Sequence, residues 1–248
     1  MINFEKPEPT VSVFLFLFNI FMNIYLLAGL GFDKRTFQRL KLDDRFELHH
    51  LDWIDPANAN EPIEAYAARM LEQQILPEHR TADIVFIGHS FGGVMCQELA
   101  QLVEKPRLII TISSIRSHSE KPFMMRWFYW MPVFWLVSKY LTWITMPLWA
   151  WMYGFISAES RRLLWYMVRR FSRQYLSWAA RTISKWRPKK AIEGLRIVSI
   201  HGSRDLMFPA HLQAAPKRIL KGGNHFMVYH RADEVSALIN EELKSLGD

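Results

Sequence analysis

Short apolar runs that end in Gly or Ser alternate with stretches of helical periodicity along most of this chain. Residues 24–27 form a candidate strand that leads into Gly29-Leu30-Gly31, and residues 46–51 form a second. Ile63, Tyr66, Met70 and Ile75 then recur at helical spacing across residues 62–75. Residues 84–87 are apolar without interruption, as expected of a strand covered on both faces. A helix is predicted over 92–104, strands over 108–112 and 195–200, a short strand near Ile219, and an amphipathic helix over 231–246. This alternation predicts an α/β fold with a mainly parallel, doubly wound sheet. Ligands of such sheets bind beyond the carboxyl ends of the strands.

The alternation breaks between residues 117 and 188. Residues 123–156 are dense in Trp, Phe, Met and Tyr and are interrupted by Pro132 and Pro147. Residues 159–186 read as one long helix, with Leu164, Val168, Phe171, Tyr175, Trp178 and Ile183 on one face and Arg162, Arg169, Arg170, Arg173, Arg181 and Lys185 over much of the rest. Charge sharpens this boundary. Residues 116–190 carry 14 Lys and Arg against two acids, Glu120 and Glu159, a balance of +12 that leaves −5 for the rest of a chain whose total is +7. The same stretch holds nine of the ten tryptophans. The expected organisation is a core of residues 22–116 and 189–248, a helical insertion at 117–188, and an N-terminal segment at 1–21. Two readings of the insertion stand: a lid that buries its aromatics and solvates its arginines, or a lid that touches a membrane or accepts acyl chains. Nucleic acid is not expected as a partner, because no recognition motif accompanies the charge.

The chain has 248 residues and is half apolar, enough to bury the core of one domain with an insertion. The lone Cys96 allows no internal disulfide and agrees with a reducing, cytoplasmic setting. Residues 9–32 carry no charge and are long enough to span a bilayer. Three readings of the N-terminus remain: a buried extra strand, a membrane-associating leader, or translation that starts at Met22. A cleaved signal peptide fits poorly, since Glu5 and Glu8 flank Lys6 and no small-x-small site precedes the strand.

The chemistry centres on Gly88-His89-Ser90-Phe91-Gly92, between an apolar strand and a helix. A nucleophilic serine needs a sharp turn that exposes its hydroxyl, and glycines on either side keep that turn free of clashes. The following helix directs its N-terminus at developing negative charge. A serine hydroxyl needs a base, and His225 lies on the glycine-flanked loop Gly222-Gly223-Asn224-His225-Phe226, just before the last helix. The base needs an orienting carboxylate. Asp205 follows a strand end and glycine turn in Ile200-His201-Gly202-Ser203-Arg204-Asp205, where His201 is read as support for the acid loop. The order Ser90, Asp205, His225 is that of one hydrolase fold and differs from two other serine-protease orders. An oxyanion hole needs two donors. The N–H of Phe91 and that of Leu30, within Gly29-Leu30-Gly31, are the expected pair. No metal or organic cofactor is implied.

These motifs together resemble the α/β-hydrolase superfamily, and most of all a compact bacterial branch with a Gly-Leu-Gly-x-Asp-x-Arg-x-Phe loop. That loop is matched here by Gly29-Leu30-Gly31-Phe32-Asp33-Lys34-Arg35-Thr36-Phe37. The resemblance covers residues 22–248 and implies Ser90, Asp205 and His225 as the triad, with a helical cap at 117–188. Two departures stand out. Ala28-Gly29 replaces the His-Gly of many relatives, and only 20 residues separate acid from base, which suggests a missing helix. The expected activity is hydrolysis of an apolar or amphiphilic ester or thioester through an acyl-enzyme. The alternatives are an acyltransferase or lyase on the same triad, or a membrane-associated binding protein that is not an enzyme. Two acids in the insertion argue against a substrate held by its amine.

Overall fold

Strand β3, Asp83–His89, occupies the interior of the sheet, and its side chains from Ile84 to Ile87 have no exposed surface. An uninterrupted apolar run is what two-sided burial requires. The computed structural model describes residues 22–123, 125, 147–148, 150–155, 157–189 and 191–246. Its six strands are β1 (Met22–Leu27), β2 (Phe46–Leu51), β3, β4 (Lys105–Ile112), β5 (Arg196–Gly202) and β6 (Lys217–Leu220). They lie in the order β2-β1-β3-β4-β5-β6, and every pairing is parallel. The order reverses between β1 and β3. At that switch point the carboxyl ends of neighbouring strands lead into loops that diverge to opposite sides, which opens a crevice.

Helices cover both faces. On one side α1 (Ile63–Gln74) and α2 (Phe91–Ala100) pack Tyr66, Met70, Met95 and Leu99 against Tyr25, Phe86 and Ile109. On the other, the last helix, α6 (Ala232–Lys244), packs Val235, Ile239 and Leu243 against Ile24, Val85 and Ile110. It is preceded by the single turn α5 (Met227–His230). The predicted elements of the core all appear, most with shifted ends. Helix α2 begins at Phe91 and stops at Ala100, so Gln101–Glu104 return the chain as a turn to β4.

The predicted helix over 159–186 is two helices, α3 (Ala158–Val168) and α4 (Arg173–Lys185). Ser172 ends the continuity: it is extended, and its hydroxyl accepts from Tyr175 N–H as an N-cap. Packing explains the break. Leu164 and Met167 of α3 join the core under α6, whereas Tyr175, Trp178 and Ile183 of α4 join the core over α1 and α2. One straight helix cannot reach both sides of the sheet. Arg161, Arg162, Arg169, Arg170 and Arg173 are exposed, as the solvated-face reading expects. Between Asp205 and His225 lie only the turn Ala210–Leu212 and β6. The three readings of residues 1–21, and most of the aromatic stretch at 123–156, lie outside the described residues. Among the described residues, no helix is long and apolar enough to cross a membrane.

Candidate active site

Strand β3 delivers Ser90 at its carboxyl end with φ 52° and ψ −123°, a left-handed backbone that costs a serine on the order of 1–3 kcal/mol. The surroundings hold that geometry from every side. Ser90 N–H donates to Ile112 O at 2.9 Å, and its carbonyl accepts from Gly93 N–H at 3.0 Å and from the Ser114 hydroxyl at 2.6 Å. A Cβ on Gly92 would stand 2.1 Å from the Leu27 carbonyl oxygen, so only glycine lets α2 start this close to β1. Gly88 is equally crowded, against the Gly93 backbone at 2.4 Å.

Across from the elbow, His225 Nε2 lies 3.0 Å from Ser90 Oγ, and His225 Nδ1 lies 3.0 Å from each carboxylate oxygen of Asp205. A carboxylate only accepts, so Nδ1 carries the proton and Nε2 presents its lone pair to the serine O–H. Asp205 and His225 are both buried. Burial alone would raise the Asp205 pKa. The charge and hydrogen bond of His225, the Phe208 N–H and the neighbouring Ser113 hydroxyl outweigh it, and the carboxyl titrates below its ordinary value. The N–H groups of Met207 and Phe208 donate to Asp205 Oδ1 at 2.9 Å, which fixes the carboxylate as well as its charge. The three residues singled out in the sequence are thus brought into one hydrogen-bonded line.

The remaining histidines near the site sit apart from that line. His89 is buried, and its Nε2–H donates to the His225 carbonyl at 3.0 Å, tying β3 to the loop of His225. Burial, and then the charge of His225, pushes its pKa down to about 3, so the ring is neutral. His201 is buried beside Asp205, and neither ring nitrogen has a hydrogen-bond partner among the described residues. It packs next to the acid loop without bonding to it. Gly29 passes so close to the elbow that a Cβ there would stand 3.0 Å from Ser90 Cβ.

The family model described as the alpha/beta hydrolase family matches residues 24–238. The chain belongs to the alpha/beta hydrolase family. Its fold is shared by MenH from S. aureus (TM-score 0.68, 14% identity, covering 92% of this chain and 95% of that one). A thermophilic esterase from Thermogutta terrifontis follows at TM-score 0.66 and 15% identity, with 90% of each chain covered. The RedJ thioesterase from the prodiginine pathway of Streptomyces coelicolor gives TM-score 0.63 and 17% identity, over 89% of this chain and 90% of that one. At such identities the likeness is one of fold. Among curated proteins, none matches the chain by sequence.

Two parts of this hydrolase-fold site were not singled out in the sequence. The first is residues 153–155 of the insertion, which grip the base loop. Tyr153 sets its ring edgewise to His225, with centroids 4.9 Å apart, and its carbonyl accepts from Phe226 N–H at 3.2 Å. Gly154 has φ 84°, and a Cβ there would stand 2.1 Å from the Asn224 side chain. Phe155 packs on Phe226 at 4.4 Å. The second is Trp53, the tenth tryptophan and the one outside the Trp-rich insertion. Its isolation was the available signal.

Proposed function

We propose that this protein is a serine hydrolase that cleaves carboxylic esters or thioesters through an acyl-enzyme on Ser90. The observation that carries this reading is the line from Ser90 Oγ through His225 to Asp205, with both contacts at 3.0 Å. His225 Nε2 takes the Ser90 proton as Oγ bonds to the substrate carbonyl carbon. The N–H groups of Phe91 and Leu30 hold the resulting oxyanion. Collapse of that intermediate breaks the bond to the alcohol or thiol, which leaves with the proton from His225. Water then gives a proton to His225 as it attacks the acyl-enzyme, and Ser90 departs with that proton. Asp205 stays ionised and balances the imidazolium that forms at each stage.

An apolar or amphiphilic substrate suits the surroundings. Leu206 is half exposed beside Asp205, and the Tyr153 ring stands edgewise to His225. Neither acid of the insertion is free to hold an amine: Glu120 is buried against Arg116 N–H and Ala214 N–H, and Glu159 pairs with Arg39. Esterases and a thioesterase among the structures of like fold agree with this choice.

The test is turnover of a p-nitrophenyl ester series and of acyl-CoAs by wild type and Ser90→Ala. Wild type is expected to hydrolyse at least one class, and the variant to lose ~10³-fold or more in kcat. A folded Ser90→Ala protein with full activity would overturn the assignment. Transfer to added alcohols or thiols in place of water would redirect it to an acyltransferase.

A further inference from the structure

Trp53 lies on the loop after β2, and its indole N–H sits between two carbonyls of the Gly29 loop, 3.1 Å from Gly29 O and 3.2 Å from Ala28 O. The Gly29–Leu30 peptide is a rigid trans unit, so its C=O and N–H point in opposite directions. The Gly29 carbonyl, held by the indole and by Phe32 N–H at 3.0 Å, turns the Leu30 N–H away from the indole, while Gly29 itself lies against Ser90 Cβ. The same indole stacks on Phe91, with centroids 5.0 Å apart and planes 8° from parallel. One side chain thus touches the residue or peptide behind each of the two donors assigned to the oxyanion hole.

The placement of Trp53 is over-determined. The peptide groups on both sides of it are clamped by α1. Gln74 accepts from Asp52 N–H and donates to Asp52 O, each at 2.7 Å. The Tyr66 hydroxyl accepts from Ile54 N–H at 3.0 Å and donates to Ile54 O at 2.6 Å. Helix α4 braces the same loop from the other side: Gln174 donates to Pro56 O at 2.9 Å, Trp178 Nε1 to Glu61 O at 2.8 Å, and Ser172 bonds Asp55. Filling space needs none of this. Aiming an amide does, because oxyanion donors act only when preorganised to within tenths of an ångström.

We infer that Trp53 is a positioning residue for the oxyanion hole, holding the Gly29 carbonyl so that Leu30 N–H faces the reacting oxygen and bracing Phe91 through its ring. The inference rests on the serine-hydrolase reading above. It also links the insertion to catalysis, since α4 fixes the loop that carries Trp53.

The experiment is the second-order rate of Ser90 labelling by a fluorophosphonate, whose phosphoryl oxygen enters the same hole, for wild type, Trp53→Phe and Tyr66→Phe. Trp53→Phe keeps a ring against Phe91 and loses the N–H. It is expected to label ~10–100-fold more slowly, still at Ser90, with the pH dependence of the rate keeping its wild-type shape. A general loosening of the site would distort that shape as well. Tyr66→Phe frees Ile54 while keeping its ring on Trp178, and is expected to slow labelling by a smaller factor in the same direction. Folded Trp53→Phe that labels at the wild-type rate overturns the inference. If that variant does not fold, wild-type labelling of Tyr66→Phe overturns it instead. Wild type that does not label at all removes the serine-hydrolase reading, and this inference falls with it.

Discussion

The two halves of the site are held by different means. Ser90 is fixed by the neighbouring strand and by the helix that follows: its backbone bonds to Ile112 and Ser114, at the end of β4, and to Gly93 in the first turn of α2. His225 sits on a loop, and part of its support arrives from 153–155, residues of the insertion about 70 positions away in the chain. Backbone crowding builds the first half, side-chain and ring contacts the second. Damage to the first should therefore appear as lost fold, and damage to the second as lost activity in a folded protein.

Gly92→Ala should have the largest effect. Its new Cβ meets two backbone oxygens, Leu27 O at 2.1 Å and Ala28 O at 2.5 Å, and neither is the end of a flexible side chain. Helix α2 must lift off β1, so a fall in Tm of more than ~10 °C, or failure to obtain soluble protein, is expected. Circular dichroism melting measures it. Gly154→Ala meets first the Asn224 side chain and adds a left-handed alanine, on the order of 1–2 kcal/mol. Its Tm should drop by a few degrees, while kcat falls ~10–100-fold because the base loop shifts relative to Ser90. If Gly154→Ala melts like Gly92→Ala and its folded fraction keeps full kcat, the contrast between the halves is wrong and the insertion only packs.

How legible each half was follows from the same difference. The strands and the elbow could be read from the chain, most of them from an apolar run ending in Gly, Ser or Asp, whereas β2 carries Glu47, His49 and His50 and shows only Phe46, Leu48 and Leu51; the loops of Asp205 and His225 stand out by their glycines. The split of residues 159–186 into α3 and α4 could not. Leu164 and Tyr175 keep a common helical period, and only the sheet between them decides that they belong to different cores. Trp53 and residues 153–155 carry no local motif, so their roles depend on contacts that span the fold. Ser172, a good N-cap preceded by the basic Arg169 and Arg170 that suit a helix end, was the local hint of the break.

A third variant probes the seam between insertion and core. Lys121 is buried where the insertion begins, and its Nζ donates to Ser184 O at 3.0 Å and Trp186 O at 2.5 Å, at the end of α4. Those are carbonyls that a helix C-terminus leaves without intrahelical partners. Lys121→Met keeps the length and strands both oxygens, which should lower stability by ~1–3 kcal/mol in a denaturant titration. Because α4 braces the Trp53 loop, a parallel fall in kcat would extend the insertion's influence to the oxyanion side. An unchanged kcat would confine it to the base side.

The smallest effect concerns pH. His201 is pushed down to about 4, chiefly by burial, against an ordinary value of 6.5. The unfolded chain therefore takes up a proton at this position as pH falls below 6.5, while the folded protein resists it until about 4. Folding within that window must release this proton, so stability is full above 6.5 and declines as pH falls through it. His89, held near 3 by the same burial, extends the decline further down. His201→Leu removes the His201 contribution without disturbing a hydrogen bond among the described residues. Its Tm should fall less steeply than that of wild type between pH 6.5 and 4, and the two curves should run parallel above pH 7. A wild-type slope in the variant would mean that His201 charges inside the folded protein, with the Asp205 carboxylate as the group that accommodates it.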